Sequence, residues 1–292
     1  MNDFTIKDLE NLSGIKAHTI RIWEQRYNFL RPQRTDTNIR YYSNEELKTL
    51  LNISLLTKYG FKLCHIDRME PTEICSLVLS LKSDEAIPER VVNDLVREMI
   101  DLETDKFEAT LNNYILENGI DKAMKQIVFS FLEKIGILWQ TGHIMPAQEH
   151  FVSNLIRQKL IVAIDAAVPE KQINKTVLLF LPEGEHHELG LLYLSYLLKR
   201  RGAKVIYLGA NVPIKDVENV VQVRKPDLAF IHLTSCCPSF NFEKLLQTIP
   251  SRLNHLTTVI SGYPTHHYHK KLPDSISFKK TLPEVLDLIS AI

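Results

Sequence analysis

The chain has 292 residues, 45% of them hydrophobic, which is more than one average domain and less than three. Basic and acidic residues number 35 each, so the chain as a whole has no charge bias toward nucleic acid or membrane, and any such preference must be local. The four cysteines form no CxxC pair, no signal peptide is visible, and no apolar run approaches the ~20 residues of a membrane span. We therefore expect a cytoplasmic protein without a membrane partner.

Residues 1–75 predict a small helical DNA-binding domain. A first helix starts after Thr5 and breaks at Ser13-Gly14, and a second helix ends near Tyr27. Two short helices joined by a glycine-containing turn are a helix-turn-helix signal. A basic, non-periodic stretch then indicates an exposed loop or small hairpin. After it, Ser43-Asn44-Glu45-Glu46 has the spacing of a capping box at the start of a third helix.

Positive charge is concentrated between residues 16 and 42, which contain six basic residues and two acidic ones. Arginine in a recognition helix can make bidentate contacts to guanine in the major groove, or it can bind phosphate. Arginines and tyrosines of the following loop can supply further phosphate contacts, which position a protein on DNA without reading its sequence. The alternative for the charge alone is an amphipathic helix whose arginines are solvated.

The order of the residues favours the DNA-binding interpretation. Arg21-Ile22-Trp23-Glu24-Gln25-Arg26-Tyr27, followed by Arg40-Tyr41-Tyr42 and Ser43-Asn44-Glu45-Glu46-Leu47, closely resembles the N-terminal winged-helix domain of MerR-family transcription regulators. The resemblance implies that the second helix enters the major groove, that the wing contacts the DNA backbone and that a dimer binds two half-sites of a double-stranded operator. It also implies that Trp23 packs between helix and wing. The DNA contacts that it implies are Thr19, Arg21, Arg26, Arg34, Arg40, Tyr41 and Tyr42.

The pattern of residues 76–170 predicts a bundle of helices. The first of these helices begins a few residues before this segment. Pro71, Pro88 and Pro146 stand where a first helical turn would begin, a position that proline tolerates. Asn118-Gly119 and Thr141-Gly142 are the predicted breaks. Helices joined by short connections are typical of an up-and-down four-helix bundle. The predicted helices cover roughly residues 71–82, 88–117, 121–139 and 146–167.

Residues 174–292 alternate between strand and helix patterns. Alternation at this spacing predicts a parallel, doubly wound sheet of the flavodoxin-like type. The predicted strands are roughly residues 176–181, 203–208, 227–232, 257–260 and 275–278, and the predicted helices are roughly 188–200, 213–223, 241–253 and 282–291. The fold class predicted for the whole chain is multidomain α and α/β.

The loop after the first of these strands reads Glu185-His186-His187-Glu188-Leu189-Gly190. It lies where open α/β sheets bind ligands. His187 can offer one ring nitrogen to a metal while Glu185 accepts a hydrogen bond from the other, which fixes the tautomer. Gly190 removes side-chain bulk where a large flat ligand would approach the backbone. The alternative on these residues alone is a polar loop with chance histidines.

The same residues resemble the cobalamin-binding domain, whose pattern begins Asp/Glu-x-His-x-x-Gly. The resemblance implies that His187 is the lower axial ligand of cobalt, that Glu185 supports it, and that the displaced nucleotide tail of the cofactor enters a cleft in the sheet. Two later parts of the pattern, Ser-x-Leu/Thr and Gly-Gly, correspond here to His232-Leu233-Thr234 and Ser261-Gly262. We therefore expect Thr234, Ser261 and Gly262 to line the site. His232 and Ser261 add atoms where the pattern has a small serine and a glycine, and a close-packed cleft is sensitive to such additions.

Trp139, followed after nine residues by Glu149-His150, resembles the signature of light-sensing regulators of the CarH/LitR type. The resemblance implies that the bundle covers the upper face of adenosylcobalamin, with Trp139 on the adenosyl group and Glu149 and His150 in the same pocket. Gln140 stands where that family can have a histidine that captures cobalt after light has removed the adenosyl group. For Trp139 alone, the alternative is an aromatic residue of the bundle core.

Together these resemblances imply a regulator that is not an enzyme. They imply a photoreceptor-like repressor whose operator binding and assembly, as a dimer or tetramer, are controlled by adenosylcobalamin, with DNA released in the light. Methylcobalamin or no cofactor are the alternatives for the ligand. One rival interpretation is the same regulator without cobalamin, controlled by a protein partner. Another is a corrinoid-dependent methyl-transfer protein, against which the N-terminal DNA motif argues.

Overall fold

The computed structural model of the chain describes residues 4–81, 83, 85–140, 142–234 and 240–292. The chain divides into two compact units, Met1–Ile156 and Arg157–Ile292. The first unit contains the predicted DNA-binding domain together with most of the predicted bundle, so a boundary near residue 75 stays a prediction. Within the described ranges, none of the helices combines the length and the apolarity that crossing a bilayer requires.

The N-terminal helices form as their caps predict. Helix α1 (Ile6–Ser13) begins at a capping box in which Thr5 and Asp8 satisfy each other's backbone amides. It ends at Gly14, whose φ of +74° is the left-handed conformation that glycine adopts without strain. Helix α2 (Ala17–Arg26) follows directly, which confirms the predicted helix-turn-helix.

A small antiparallel wing follows α2. Its strands are β1 (Gln33–Arg34) and β2 (Arg40–Tyr41). Helix α3 (Asn44–Lys58) then begins at the predicted capping box of Ser43 and Glu46. The wing is short, with β1 exposed and β2 partly buried, whereas α3 buries an apolar face. Helix α3 therefore forms the core of this domain, and the wing extends from it.

The helical region differs from the prediction at one break. The remaining helical elements of the first unit are α4 (Leu63–Ile66), α5 (Pro71–Ser80), α6 (Ala86–Ile100), α7 (Thr104–Lys122), a π-helical turn (Ala123–Val128), α8 (Phe129–Gln140) and α9 (Pro146–Asp165), the last of which continues into the second unit. The single predicted helix 88–117 is wrong, because Leu102 has a φ of +56° and separates α6 from α7. Gly119, with a φ of +80°, makes the predicted break inside α7.

The four helices of the bundle are also assigned differently. Helix α5, predicted as the first bundle helix, packs against α3 of the DNA-binding domain. The bundle is instead built by α6, by α7, by the π-helical turn with α8, and by α9. Phe107 of α7 contacts Phe131 of α8 and Phe151 of α9, with ring centroids 5.4 and 5.5 Å apart. An aromatic cluster thus joins three of these helices.

The second unit is a parallel sheet covered on both faces. Its elements are β3 (Thr176–Pro182), α10 (Leu189–Arg201), β4 (Lys204–Val212), α11 (Ile214–Arg224), β5 (Leu228–Leu233), α12 (Phe242–Arg252), β6 (Thr258–Gly262), α13 (Pro264–His267), β7 (Ile276–Lys279) and α14 (Leu282–Ala291). Among the described residues the strand order is β4-β3-β5-β6-β7, and every pairing is parallel. This order confirms the flavodoxin-like prediction.

Alternate side chains of β3 show how the two layers arise. Leu178 and Phe180 enter a core with α11 and α12, whereas Val177, Leu179 and Leu181 enter a core with α10 and α14. The chain order reverses at β3, which has β4 on one side and β5 on the other. Ligands of open α/β sheets bind beyond the carboxyl ends of the strands at such a switch point.

Candidate functional site

A buried carboxylate organises the carboxyl edge of the sheet. Glu185 follows β3, and only 1% of its surface is exposed. Its Oε1 accepts hydrogen bonds from His187 Nδ1 at 2.7 Å and from the His187 amide at 2.9 Å. Its Oε2 accepts a bond from the amide of Thr234, at the end of β5, at 3.1 Å. One side chain therefore joins the loops that follow two neighbouring strands.

The same carboxylate sets the tautomer of His187. Because Glu185 accepts a hydrogen bond from the Nδ1–H group, the proton stays on Nδ1, and Nε2 is the ring nitrogen that a metal would use. The His187 side chain is 54% exposed, although its partner is buried. The predicted Glu185–His187 pair is thus present, with the geometry that a metal-bound histidine needs.

The other side of this loop is also anchored. Glu188 Oε1 forms an ion pair with Arg157 at 3.0 Å, and Glu188 Oε2 accepts a hydrogen bond from the Tyr207 hydroxyl at 3.0 Å. Burial and the neighbouring Glu188 raise the pKa of Tyr207, so its hydroxyl stays protonated as a donor. Sequence reasoning missed Arg157 and Tyr207, because they reach the loop from α9 and β4 and carry no local pattern.

Gly190 makes room for a side chain of the protein itself. A Cβ at this position would lie 2.3 Å from Cδ2 of His232, far inside van der Waals contact. Nδ1 of His232 lies 2.8 Å from the Ser261 hydroxyl, and the two residues are register partners on β5 and β6. Burial lowers the pKa of His232 to about 4, an effect that Glu185 partly offsets, so the ring is neutral near pH 7. The expected clearance for a flat ligand at Gly190 is thus filled by an imidazole.

The remaining predicted lining residues are constrained by the sheet. Ser261 is 2% exposed, and Thr234, which is exposed, donates its amide to Glu185. Gly262 has a φ of +103°, and a Cβ there would lie 1.9 Å from the carbonyl oxygen of Leu233. The backbone packing of β5 against β6 therefore requires glycine at position 262 whether or not a ligand binds.

The predicted cap residues lie in the first unit, at the two sides of the loop between α8 and α9. Trp139 is 50% exposed in the last turn of α8, which excludes a bundle-core role for it. Glu149 lies in the first turn of α9 and His150 follows it, with Glu149 Oε2 2.8 Å from His150 Nδ1. The side chain of Gln140 lies outside the described residues.

His143, in the same loop, is turned toward the DNA-binding domain. Its Nε2 lies 2.8 Å from a carboxylate oxygen of Asp8, which is 1% exposed, and its ring packs against Phe4 at a centroid distance of 5.1 Å. Asp8 is also the capping-box residue of α1. The loop that follows Trp139 is thereby tied to the start of the first helix, a contact that no sequence pattern announced.

The basic face predicted to meet DNA is only partly free. Arg21, Arg26 and Arg34 are exposed, as a phosphate or base contact requires. Arg34 donates to Asn38 within the wing at 2.6 Å. Thr19 and Tyr41 are partly buried, and the Tyr41 hydroxyl donates a hydrogen bond to Gln33 at 2.6 Å. Trp23 is buried, and its ring lies 5.9 Å from that of Phe29, as expected for a packing residue.

Two wing residues are held by Glu24 of α2. Arg40 Nε donates to Glu24 Oε2 at 2.9 Å, and the Tyr42 hydroxyl donates to Glu24 Oε1. Tyr42 is fully buried, and its backbone pairs with Phe4. We therefore remove Tyr42 from the DNA surface, because its ring has no exposed face. Glu24, counted from the sequence only as a local negative charge, fastens the wing to the second helix.

These residues fit one part of a cobalamin and not the other. The imidazole of His187, oriented by the Glu185 carboxylate at the switch point, fits a cobalt ion that accepts one nitrogen ligand. The nucleotide tail expected below it would need the space at Gly190, His232 and Ser261. That space holds a ring and a hydroxyl that bond to each other, so a tail does not fit in this arrangement.

Three segments of the chain match known families. Residues 4–73 match the MerR HTH family regulatory proteins, residues 175–278 match the B12 binding domain, and residues 91–163 match a second family with the same B12-binding description. The third match falls on the helical bundle.

Two curated relatives are similar along most of the chain. The HTH-type transcriptional repressor CarH of Myxococcus xanthus is 27% identical over 260 residues, which cover 86% of each protein. The HTH-type transcriptional repressor CarA of the same organism is 27% identical over 270 residues, which cover 91% of this chain and 89% of that protein.

A solved structure supports the fold. The monomethylamine corrinoid protein of Methanosarcina barkeri aligns with a TM-score of 0.59 and 12% identity, covering 72% of this chain and all of that one. The chain thus combines an N-terminal MerR-type helix-turn-helix domain with B12-binding domains and resembles two Myxococcus transcriptional repressors along most of its length.

Proposed function

We propose that the protein is a DNA-binding transcription repressor whose operator binding is controlled by a corrinoid, with adenosylcobalamin as the expected form. The observation that carries the ligand half is the pair of Glu185 and His187, in which a buried carboxylate orients an exposed imidazole at the switch point of the sheet. The match to the B12 binding domain over the same residues supports cobalt as the metal.

The DNA half rests on the exposed arginines of α2 and the wing. Arg21 and Arg26 lie on α2, the second helix of the helix-turn-helix, and Arg34 lies on the wing. In such domains the second helix reads bases and the flanking contacts bind phosphate. We propose these three side chains, with Thr19, Arg40 and Tyr41 in supporting contacts, as the DNA surface of each subunit in a dimer or larger oligomer.

On the ligand side, His187 would hold cobalt through Nε2 and Glu185 would keep the ring in place. The adenosylated cofactor, when bound, supplies a cobalt–carbon bond that light can cleave. Trp139, Glu149 and His150 stay the proposed residues for the upper face of the ligand. The half-exposed indole of Trp139 is compatible with this role, since a flat apolar surface left in solvent can cover an apolar group.

The contact between His143 and Asp8 supports a route from ligand to DNA. It joins the loop after Trp139 to the start of α1, in the DNA-binding domain. A ligand that binds one conformation of this loop more tightly raises the population of that conformation. The contact between His143 and Asp8 then carries the change to the start of α1. Control of DNA binding by the bundle therefore needs no contact between ligand and DNA.

A second candidate function is the same repressor without any cofactor, controlled by a protein partner. The ring of His232 against Gly190, in the space expected for a nucleotide tail, is the observation that favours it. Absorption spectroscopy separates the two functions, because a bound corrinoid is coloured.

The test uses the full-length protein in the dark, with an operator first selected from random DNA. We expect wild type to keep adenosylcobalamin through gel filtration and His187→Ala to lose it. Arg21→Ala should keep the corrinoid but bind the operator about 1–3 kcal/mol more weakly. Arg224→Ala, at an exposed arginine of the second unit, is the control for Arg21→Ala and should bind the operator as wild type does.

Each part of the proposal can fail separately. A wild-type protein that stays colourless with every corrinoid offered, with or without the lower nucleotide, supports the cofactor-free repressor. Corrinoid retained by His187→Ala removes His187 as the cobalt ligand, and unchanged operator binding by Arg21→Ala removes that contact. Green light applied to the loaded protein on its operator then tests the light response, with DNA release and a change in oligomer size as the expected result.

A further inference from the structure

The crevice between the start of α10 and the ends of β5 and β6 is closed by side chains of the protein. His232 projects from β5 onto Gly190, so that the ring atoms Cδ2 and Nε2 come within 2.3 and 2.7 Å of where a Cβ would be. Its Nδ1 is bonded to the Ser261 hydroxyl on the neighbouring strand at 2.8 Å. Ser261 is buried. The ring is therefore fixed on two sides by the fold.

A closed crevice has a chemical consequence for a corrinoid held by His187. When a protein imidazole takes the lower site of cobalt, the nucleotide base that a complete cobalamin carries on that side is displaced. The base must then leave from the lower face of the ring, which is the face toward the protein. Gly190, His232 and Ser261 lie on the helix and strands that follow the His187 loop, where a displaced base would have to enter the sheet.

Moving His232 aside is unfavourable for two reasons. The movement breaks the hydrogen bond between His232 Nδ1 and Ser261 and leaves the buried Ser261 hydroxyl without this partner. The strands beside it are also closely packed, because a methyl group at Gly262 would overlap the carbonyl oxygen of Leu233. Near pH 7 the neutral ring has no charge that would draw it into solvent.

We infer that this site selects corrinoids that lack the lower nucleotide, the cobinamide class, over complete cobalamins, because His232 occupies the position that the nucleotide base would take. The inference rests on the proposed corrinoid function and narrows its ligand. Cobalt would still be held by His187, and Glu185 would orient that ring as before. Selection comes from exclusion of a group rather than from an added contact.

The experiment compares adenosylcobinamide with adenosylcobalamin by equilibrium dialysis in the dark, with absorption as the readout. The proteins are wild type, the double variant His232→Ser with Ser261→Gly, and His187→Ala. We expect wild type to bind the cobinamide on the order of tenfold to a hundredfold more tightly. The double variant should lose most of this preference, because its affinity for the cobalamin rises by much more than its affinity for the cobinamide changes.

The base of a cobalamin competes with His187 for cobalt in every variant. The inference is therefore tested by how the ratio of cobinamide affinity to cobalamin affinity changes from wild type to the variants. Equal affinities in wild type overturn the inference, and so does a double variant whose ratio is unchanged. If wild type binds neither corrinoid and His187→Ala behaves identically, the proposed corrinoid function falls together with the inference. Ser261→Gly alone, which keeps the histidine, provides a milder variant, and thermal unfolding checks that each protein is folded.

Discussion

Two histidines lie at the same edge of one sheet, and their neighbours give them opposite properties. His187 is half exposed and is oriented by the buried carboxylate of Glu185. His232 packs on Gly190 and bonds to the hydroxyl of Ser261, and its burial lowers its pKa to about 4. The comparison teaches that residue type alone does not assign a histidine to metal binding. Two features distinguish a proposed metal ligand from a histidine that only packs: the side chain that is hydrogen-bonded to one ring nitrogen, and the space around the ring.

The two regions are also connected. Glu185 accepts hydrogen bonds from His187 with one oxygen and from the amide of Thr234, two residues after His232, with the other. A substitution on one side can therefore be felt on the other. The predictions that follow test how far the two regions act separately.

The largest expected effect is that of Gly190→Ala on stability. The new methyl group would lie 2.3 Å from the His232 ring, so we expect a loss of about 3 kcal/mol in the free energy of unfolding, the upper end for overpacking. Denaturant unfolding measures it, and adding His232→Ser should restore most of the loss. Gly136→Ala is the matched control, since this exposed helical glycine has no neighbour within 4 Å of a Cβ and should be neutral or slightly stabilising.

The next effect concerns the region around His187. Glu185→Gln keeps the size of the side chain but removes its charge and one acceptor, so we expect corrinoid affinity to fall by about 10- to 100-fold. Spectrophotometric titration measures the change. Glu183→Gln, at an exposed position of the same loop, should leave the affinity unchanged. If both variants bind as wild type does, His187 needs no carboxylate and the contrast between the two histidines disappears.

The pH dependence of stability should identify His232. Its folded-state pKa of about 4 lies below the ordinary value of 6.5, so the unfolded chain takes up a proton first as the pH falls. Stability from the neutral ring is complete above pH 6.5 and is lost as the pH falls toward 4, roughly 2 kcal/mol of it by pH 5. His232→Gln should lack this loss when the two proteins are compared by denaturant unfolding from pH 8 to 5.

Another group titrates in the same range with the opposite sign. Burial raises the pKa of Glu98 to about 7, so its contribution falls as the pH rises through the range from 4.5 to 7. Glu98 is present in both proteins, and its contribution cancels in the difference between them. An identical pH profile for wild type and His232→Gln would mean that the ring is solvated.

The smallest effect is expected for Ser261→Ala. It removes the hydroxyl partner of His232 Nδ1 without adding volume, and the net loss of one hydrogen bond is about 1 kcal/mol. The variant should also loosen the ring and raise cobalamin affinity slightly. Denaturant unfolding and dialysis measure the two quantities, and Ser290→Ala, at an exposed serine of α14, is the control.

The sequence was informative where the relevant contacts are local. Glu185 and His187 are two positions apart, and Ser43 and Glu46 of the α3 capping box are three positions apart, so spacing alone predicted both pairs. The strands were predicted because parallel strands buried on both faces are continuous apolar runs.

Prediction failed where contacts cross the chain or where a break has no marker. Leu102 interrupts the predicted helix 88–117 without a glycine or proline to announce it. The basic residues near Tyr42 favoured an exposed position for it, but its burial depends on Phe4 and Glu24, which are far from it in sequence. The contact of His232 with Gly190 joins β5 to α10, and only the fold brings those residues together.

The grip of Glu24 on Arg40 and Tyr42 has a consequence for the shape of the operator. Because Glu24 ties the wing to α2, the distance along the double helix between the proposed base contacts of α2 and the proposed phosphate contacts of the wing is set before the protein meets DNA. Each half-site must then present its groove and its flanking backbone at one fixed separation. Inserting a single base pair between them should be rejected as firmly as a changed base, whereas a protein with a hinged wing would adjust.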